Sequence, residues 1–282
     1  MIDLHIHTTA SDGATSPQEV LREALSKGLS TISFTDHESI EGYLDVQDSA
    51  RELGIKIIPG VELLTSYAGR EIHLLGYLFD PSCSLLLDRL RELREKRNQV
   101  ALEIVENLKG SGFQIEYSRV ADIAQENVAI GKNHILLAIY EAGYISTQNE
   151  AVQILRKYLT RNTDTYVEFT MHPLGEAVEL IRECGGIPVL AHPGIIRDEQ
   201  LVKDILRRFA LPGIEVYYYY FGERQKLIQH YQQLAREWKL LATGGSDYHG
   251  RFAPVPLGEL EIPESIVEQL EVFIRQSKNN NY

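Results

Sequence analysis

Cysteine is almost absent from this chain: Cys83 and Cys184 are the two it has, far apart in 282 residues. So sparse a supply argues against the disulfide framework of a small secreted domain, and either residue reads as a buried free thiol. Long apolar runs are missing as well. None approaches the ~20 residues that a membrane-spanning helix needs. The N-terminus has no basic segment leading into an apolar one, so no signal peptide is expected, and the cytoplasm is the expected compartment. Low-complexity linkers and internal repeats are lacking too. Positive charge is in short supply, with 28 Lys and Arg against 40 Asp and Glu and a net charge of −12. An acidic surface repels polyanions at long range. Any handling of phosphate or nucleic acid therefore needs local positive charge, which a metal cluster can supply.

What is present suits a soluble globular chain. Hydrophobic residues make up 44 % and charged residues 24 %, enough for a full core in one large domain or a domain carrying an insertion. "MIDLHIH" alternates with period two and reads as a strand. Ser16, Pro17 and Glu19 then open a helix with a capping box, and Gly28 ends it. "STISFTD", "IKIIPGVELLT" and "EIHLLGYLF" read as further strands, with a helix through Val46 and Leu53 between the first two. That rhythm predicts a parallel sheet with crossover helices. After Pro81 the pattern changes. A long charged helix is predicted over 85–109, with helical segments over 118–126 and 133–159 and no convincing strand until about 164. Strand–helix alternation then resumes through "IPVLAHPG", "GIEVYYYY" and "KLLATGGSDYHG". The tail "KNNNY" is expected to fray. The reading is an α/β fold with seven strands in βα order, over 1–80 and 165–282, and an inserted helical subdomain over 81–164. An incomplete or distorted barrel is one architecture for it, and an open doubly wound sheet the other.

The chain has nine histidines. His5, His7, His37, His73, His192 and His249 fall at strand ends or in the loops just after them, as do Asp12, Glu62 and Asp247. In parallel βα folds such groups converge on one rim. His5 and His7 point the same way on a strand, and Asp247 and His249 repeat that spacing. A donor set of His, Asp and Glu without Cys suits Zn, Mn or Fe. Buried unpaired, these groups would cost several kcal/mol, and metal ions would remove that cost. His172, before Pro173, and His230, mid-helix, read as structural or solvated. Arg89, Arg91, Arg94, Lys96 and Arg97, mixed with acids, read mostly as a solvated helix face. Tyr217–Tyr220 read chiefly as packed rings, with stacking on a base as the alternative.

The segments "DLHIHTTASDG", "FTDH", "GVE", "EIHLLGY", "LAHPG" and "GSDYHG" occur in the order seen in the polymerase and histidinol phosphatase (PHP) superfamily, which this chain resembles from Asp3 to Gly250. "IGKNHILLAIYEAGYIS" and the helix with "LRELREKR" look like the insertion of its stand-alone phosphoesterases, which include 3′,5′-nucleoside bisphosphate phosphatases and 5′→3′ exoribonucleases. The resemblance implies a distorted seven-stranded (β/α)7 barrel and a trinuclear site of Mn, Zn or Fe. It implies one ion on His5, His7, Glu62 and Asp247, a second on Glu62, His73 and His192, and a third on Asp12, His37 and His249. It also implies phosphoester hydrolysis by a metal-activated water attacking phosphorus, with a small phosphorylated substrate, a nucleotide or short RNA, as partner.

Lys132 and His134 would close over the phosphate, with His134 a candidate to protonate the leaving group. Arg94 and Arg97 match basic positions of the subgroup that could reach substrate. Two positions depart from the subgroup pattern, since Lys132 and Leu137 stand where arginines are usual. Lysine offers a point charge rather than a bidentate fork. The competing readings are a phosphatase of a small metabolite such as histidinol phosphate, and a non-enzymatic PHP module, which would have lost ligands that this chain retains.

Overall fold

A computed structural model describes residues 1–125, 128–160, 163–250 and 255–279. Three parallel strands begin the fold: β1 (Ile2–Ile6), β2 (Thr31–Phe34) and the short β3 (Lys56–Ile57), with α1 (Pro17–Ser26) and α2 (Glu41–Glu52) between them. The capping box forms as read: Glu19 N–H donates to Ser16 Oγ and Ser16 N–H to Glu19 Oε2. A five-stranded sheet follows, ordered β4 (Gly60–Tyr67), β5 (Arg70–Tyr77), β6 (Ile187–Leu190), β7 (Gly213–Tyr217) and β8 (Leu241–Gly244).

Two of the sequence expectations change here. "IKIIPGVELLT" is two strands rather than one, broken at Pro59, which has no N–H to donate to a ladder. The fourth predicted strand is also not part of a parallel βα unit. β4 and β5 form an antiparallel hairpin from Gly60↔Tyr77 to Tyr67↔Arg70. Its two-residue turn holds Ala68 and Gly69 at φ 51° and 70°, the left-handed pair that a tight hairpin needs. β5 and β6 also pair antiparallel, while β6, β7 and β8 run parallel. The strands thus form two sheets of three and five rather than one closed barrel. Isolated bridges join their edges, Ile6 with Tyr248 and His37 with Glu62.

Between β5 and β6 come α3 (Ser84–Gly110), α4 (Tyr117–Ala124), α5 (Lys132–Glu141), α6 (Gln148–Tyr158) and α7 (Leu174–Glu183). The helix read over 133–159 is broken between α5 and α6. Gly143 sits at φ 83° there, and Thr147 caps α6 in a second capping box with Glu150. Ile104, Leu108, Phe113, Val120, Ile139 and Leu159 form a core of their own among α3–α6. The short α8 (Pro193–Ile196), α9 (Glu199–Arg208) and α10 (Arg224–Trp238) complete the crossovers, and α11 (Ser265–Asn279) packs Ile266 and Leu270 on Leu4, Leu75 and Val189. The expectation for the C-terminal tail falls mostly on 280–282, outside the described residues.

The thiol reading is corrected. Cys83, at the start of α3, and Cys184, at the end of α7, form a disulfide with a Cα–Cα distance of 5.7 Å across 101 residues of sequence. Neighbouring strands bring them together: β5 leads into the first cysteine, β6 leads out of the second, and Asp80 N–H donates to Cys184 O at 2.8 Å. Closing so long a loop stabilises the fold by about 2–4 kcal/mol. Denatured, unreduced protein is expected to show no titratable thiol, and reduction to lower its urea midpoint. Two thiols in the unreduced protein would refute the pairing.

Candidate metal centre

Every strand that carries a candidate ligand delivers it to the same rim. β1 ends at His5 and His7, and its loop brings Asp12. His37 follows β2, Glu62 lies early in β4, His192 follows β6, and Asp247 and His249 follow β8. His73 is not at a strand end. It sits mid-strand in β5, opposite Leu64, and reaches the rim because β5 runs antiparallel to β4. The backbone ties the ends together: Asp247 N–H donates to His5 O at 2.8 Å and His7 N–H to Tyr248 O at 2.9 Å. His192 and Asp247 hold φ at 25° and 54°, unusual for side-chain-bearing residues and characteristic of functional turns.

Glu62 is the centre of this cluster and is fully buried. Its Oε2 lies 3.3 Å from His5 Nε2, 3.2 Å from His7 Nε2 and 3.3 Å from His37 Nδ1. Its Oε1 lies 2.8 Å from His73 Nδ1 and 3.1 Å from His192 Nε2. Asp247 Oδ1 is 3.3 Å from His5 Nε2 and 3.1 Å from His7 Nε2, and Asp12 Oδ1 is 3.4 Å from His249 Nε2. Three groups follow, each with its donor atoms within 4.8 Å of one another: His5, His7, Glu62 and Asp247; Glu62, His73 and His192; and His7, Asp12, His37 and His249. All nine sequence-predicted ligands are in them.

The electrostatics of these groups interlock. Burial would raise the Glu62 carboxyl, but His5, His73 and His37 outweigh it and hold it well below the carboxylate range. His7 is likewise penalised by burial yet pushed up to about 10 by Asp247 and Glu62. Burial drives His37 well below its ordinary value. Among the described residues, His5 Nε2, both ring nitrogens of His7, Asp12 Oδ1 and His37 Nδ1 are buried without a hydrogen-bond partner. Buried polar atoms are rarely left so, and divalent cations between them would satisfy all of these groups. Ligating imidazoles are neutral, so metal would replace protons as the positive charge here. The donor set fits the borderline ions Zn, Mn and Fe.

The remaining predicted residues lie around this cluster. Lys132, at the start of α5, has Nζ 3.7 Å from Glu71 Oε1 and 4.5 Å from the Tyr166 ring centre. Asn133 N–H and its side-chain amide both donate to Asp12 Oδ2 at 3.4 Å, so the first turn of α5 abuts a candidate ligand. A side chain at Gly131 would overlap Asp12, since a Cβ there falls 2.0 Å from its Oδ2. His134 is buried, and its Nδ1 accepts from Gly131 N–H at 3.2 Å. Burial lowers its pKa. The guanidinium groups of Arg94 and Arg97 both meet Glu38, the residue after the candidate ligand His37, and Arg97 also lies within electrostatic reach of Asp12. Arg97 is 6 % exposed and ion-paired with buried Glu38, while Arg94 donates to Glu38 O at 2.8 Å. Both tie α3 to the loop after β2.

Glu71 and Glu215 of this neighbourhood are not singled out in the sequence reading, which takes Tyr218 and Tyr220 chiefly for packed rings. Glu71 accepts both of its Tyr166 contacts at 2.8–2.9 Å and lies 3.4 Å from His73 Nε2. Tyr218 OH donates to Asp247 Oδ2 at 2.9 Å, while Tyr220 packs in the core beside Tyr231. Glu215 contacts His5 and His192. Alternation in "GIEVYYYY" turns Glu215 to one face and would have been the signal for it. His172 is buried before α7, and His230 lies near Glu199 on α10; neither belongs to the three donor groups. No helix among the described residues is long and apolar enough to cross a membrane.

Comparison with known proteins agrees with this geometry. The PHP domain family matches residues 3–210. A 5′-3′ exoribonuclease of Haemophilus influenzae is 31 % identical over 277 residues, 96 % of this chain and 98 % of that protein. A phosphoribosyl 1,2-cyclic phosphate 1,2-diphosphodiesterase of Eggerthella lenta is 29 % identical over 93 % of this chain and 98 % of its own length. A 3′,5′-nucleoside bisphosphate phosphatase of Chromobacterium violaceum is 28 % identical over 88 % and 87 %. A Bifidobacterium adolescentis protein assigned as a metal-dependent phosphoesterase superposes with a TM-score of 0.85 at 26 % identity, covering 96 % of this chain and 95 % of the other. The matched family, the hydrolases similar over nearly the whole chain and the converged donor groups lead to one conclusion: this chain belongs to the PHP domain family of metal-dependent phosphoesterases.

Proposed function

We propose that this protein hydrolyses phosphate esters of ribonucleotides, taking a phosphate from 3′,5′-nucleoside bisphosphates or acting at the 5′ end of short RNA. The observation that supports this most is Glu62, a buried carboxylate that faces five imidazoles and is shared by two of the three donor groups. One ion would be held by His5, His7, Glu62 and Asp247, a second by Glu62, His73 and His192, and a third by Asp12, His37 and His249. When bound, Mn, Zn or Fe ions at these positions supply Lewis acidity, lowering the pKa of water towards ~7 and neutralising charge on phosphate oxygens.

The rest is the work of the chain. Tyr218 holds Asp247 by its outer oxygen, leaving Oδ1 turned to His5 and His7. Lys132 and the N-terminal turn of α5 bring positive potential to the rim, where the acidic surface offers little. His134 accepts through Nδ1, so its neutral tautomer carries the proton on Nε2, and the ring also hydrogen-bonds to the backbone of Ser11 in the loop after β1. We read 81–164 as an inserted helical subdomain that covers the rim, and the two sheets with their edge bridges as the wall of a distorted barrel.

The named activities of the relatives share a phosphorylated ribose, which favours a ribose phosphate over histidinol phosphate. The test is product release with added Mn²⁺ from adenosine 3′,5′-bisphosphate, 5′-phosphorylated RNA, phosphoribosyl 1,2-cyclic phosphate and histidinol phosphate. The bisphosphate or the RNA is expected to exceed histidinol phosphate in kcat/KM by at least about 10²-fold. A preference for the cyclic phosphate or for histidinol phosphate overturns the nucleotide reading and leaves the family assignment intact.

A further inference from the structure

Glu215 stands in the middle of β7, fully buried, outside all three donor groups. Among the described residues its ion-pair partner is His5 alone, with no Lys or Arg beside it. Its two oxygens are divided between two candidate ligands. Oε1 lies 2.9 Å from His5 Nδ1, and Oε2 accepts from the backbone N–H of His192 at 2.8 Å. A carboxylate only accepts, so the atom facing Oε1 must carry a proton. With an ion rather than a proton at Nε2, His5 is therefore fixed with its proton on Nδ1; Nε2 is turned to Glu62 Oε2 and Asp247 Oδ1, each at 3.3 Å. The second contact acts on the backbone. His192 sits at φ 25° and ψ 59°, a sparsely populated conformation that its surroundings must hold. In that turn its Nε2 reaches Glu62 Oε1 at 3.1 Å.

We infer that Glu215 is a positioning residue for the metal centre: one buried carboxylate fixes the His5 tautomer and the His192 turn, and so presents Nε2 of both rings to the two oxygens of Glu62. This rests on the ligand assignment above. Its consequence is that two of the three donor groups are preset by a residue that touches no ion. Carboxylates placed behind ligating histidines orient the ring and raise its basicity, and their loss weakens metal affinity by about 10–100-fold.

The experiment is Mn²⁺ titration of chelator-stripped protein by calorimetry, with histidine tautomers read from long-range ¹H–¹⁵N spectra of the protein loaded with diamagnetic Zn²⁺. Wild type is compared with Glu215→Gln, which keeps the shape but can no longer accept with both oxygens. Glu215→Gln is expected to bind Mn²⁺ about 10–100-fold more weakly and to lose the single Nδ1–H tautomer of His5. Glu215→Asp, which keeps the charge one methylene further away, is expected to fall between the two and serves if the glutamine variant does not fold. A purely structural role would lower the thermal midpoint of the stripped variants yet leave the Mn²⁺ affinity and the tautomer at wild type, and that result overturns the inference. Wild-type protein that takes up no Mn²⁺ overturns the ligand assignment with it, so the two failures are distinguished.

Discussion

Glu62→Gln is expected to lower kcat/KM by about 10³-fold or more while the protein stays folded. Glu62 Oε2 faces His5, His7 and His37, and its Oε1 faces His73 and His192. Glutamine keeps the volume but removes the charge, and it turns one N–H₂ towards nitrogens that need a cation. Two donor groups lose their shared carboxylate at once. The measurement pairs phosphate release with metal content and circular dichroism. Lost activity with reduced metal content and an unchanged spectrum is the expected combination. His7→Ala, which also belongs to two groups, should behave alike. Wild-type rates with full metal content in either variant would remove these residues from the metal centre.

Arg97→Met is expected to destabilise the fold by about 3–5 kcal/mol, because it leaves a buried carboxylate without its counter-charge. Glu38 is buried between the loop after β2 and α3, where it pairs with Arg97 and accepts from Leu64 N–H at 2.6 Å. Burial already raises its pKa despite the guanidinium beside it. In the double variant Glu38→Gln/Arg97→Met the buried charge is gone and an acceptor for Leu64 N–H remains, so most of the loss should be recovered. Urea denaturation of the three variants measures this. It also separates two roles for Arg97. A substrate-binding arginine would cost catalysis and little stability. A clamp between α3 and the rim would cost stability first, and the burial and pairing of this side chain support the clamp.

The candidate ligands were legible for a local reason. Period-two alternation makes His5 and His7 point the same way whatever the sheet does, and the ends of βα strands gather at one rim. His73 reached that rim by a different route than the sequence suggested. The reading took its strand for another parallel unit, whereas a turn at Ala68 and Gly69 reverses it. Arg97 illustrates what local spacing leaves open. Its place in a charged run resembled a solvated or substrate-facing position, and nothing local indicates that Glu38, 59 residues away, would claim it.

By itself the sequence determined the strand–helix rhythm, the helix caps, the change of pattern after Pro81 and the donor types of the metal centre. These follow from neighbours within one or two turns of chain, where spacing fixes the direction of a side chain. Only the tertiary structure decided the antiparallel hairpin, the division into two sheets, the Cys83–Cys184 pair and the hold of Glu215 on His5 across 210 residues. Each depends on which strands lie side by side. A buried carboxylate takes its meaning from the donor that faces it, and strand order chooses that donor.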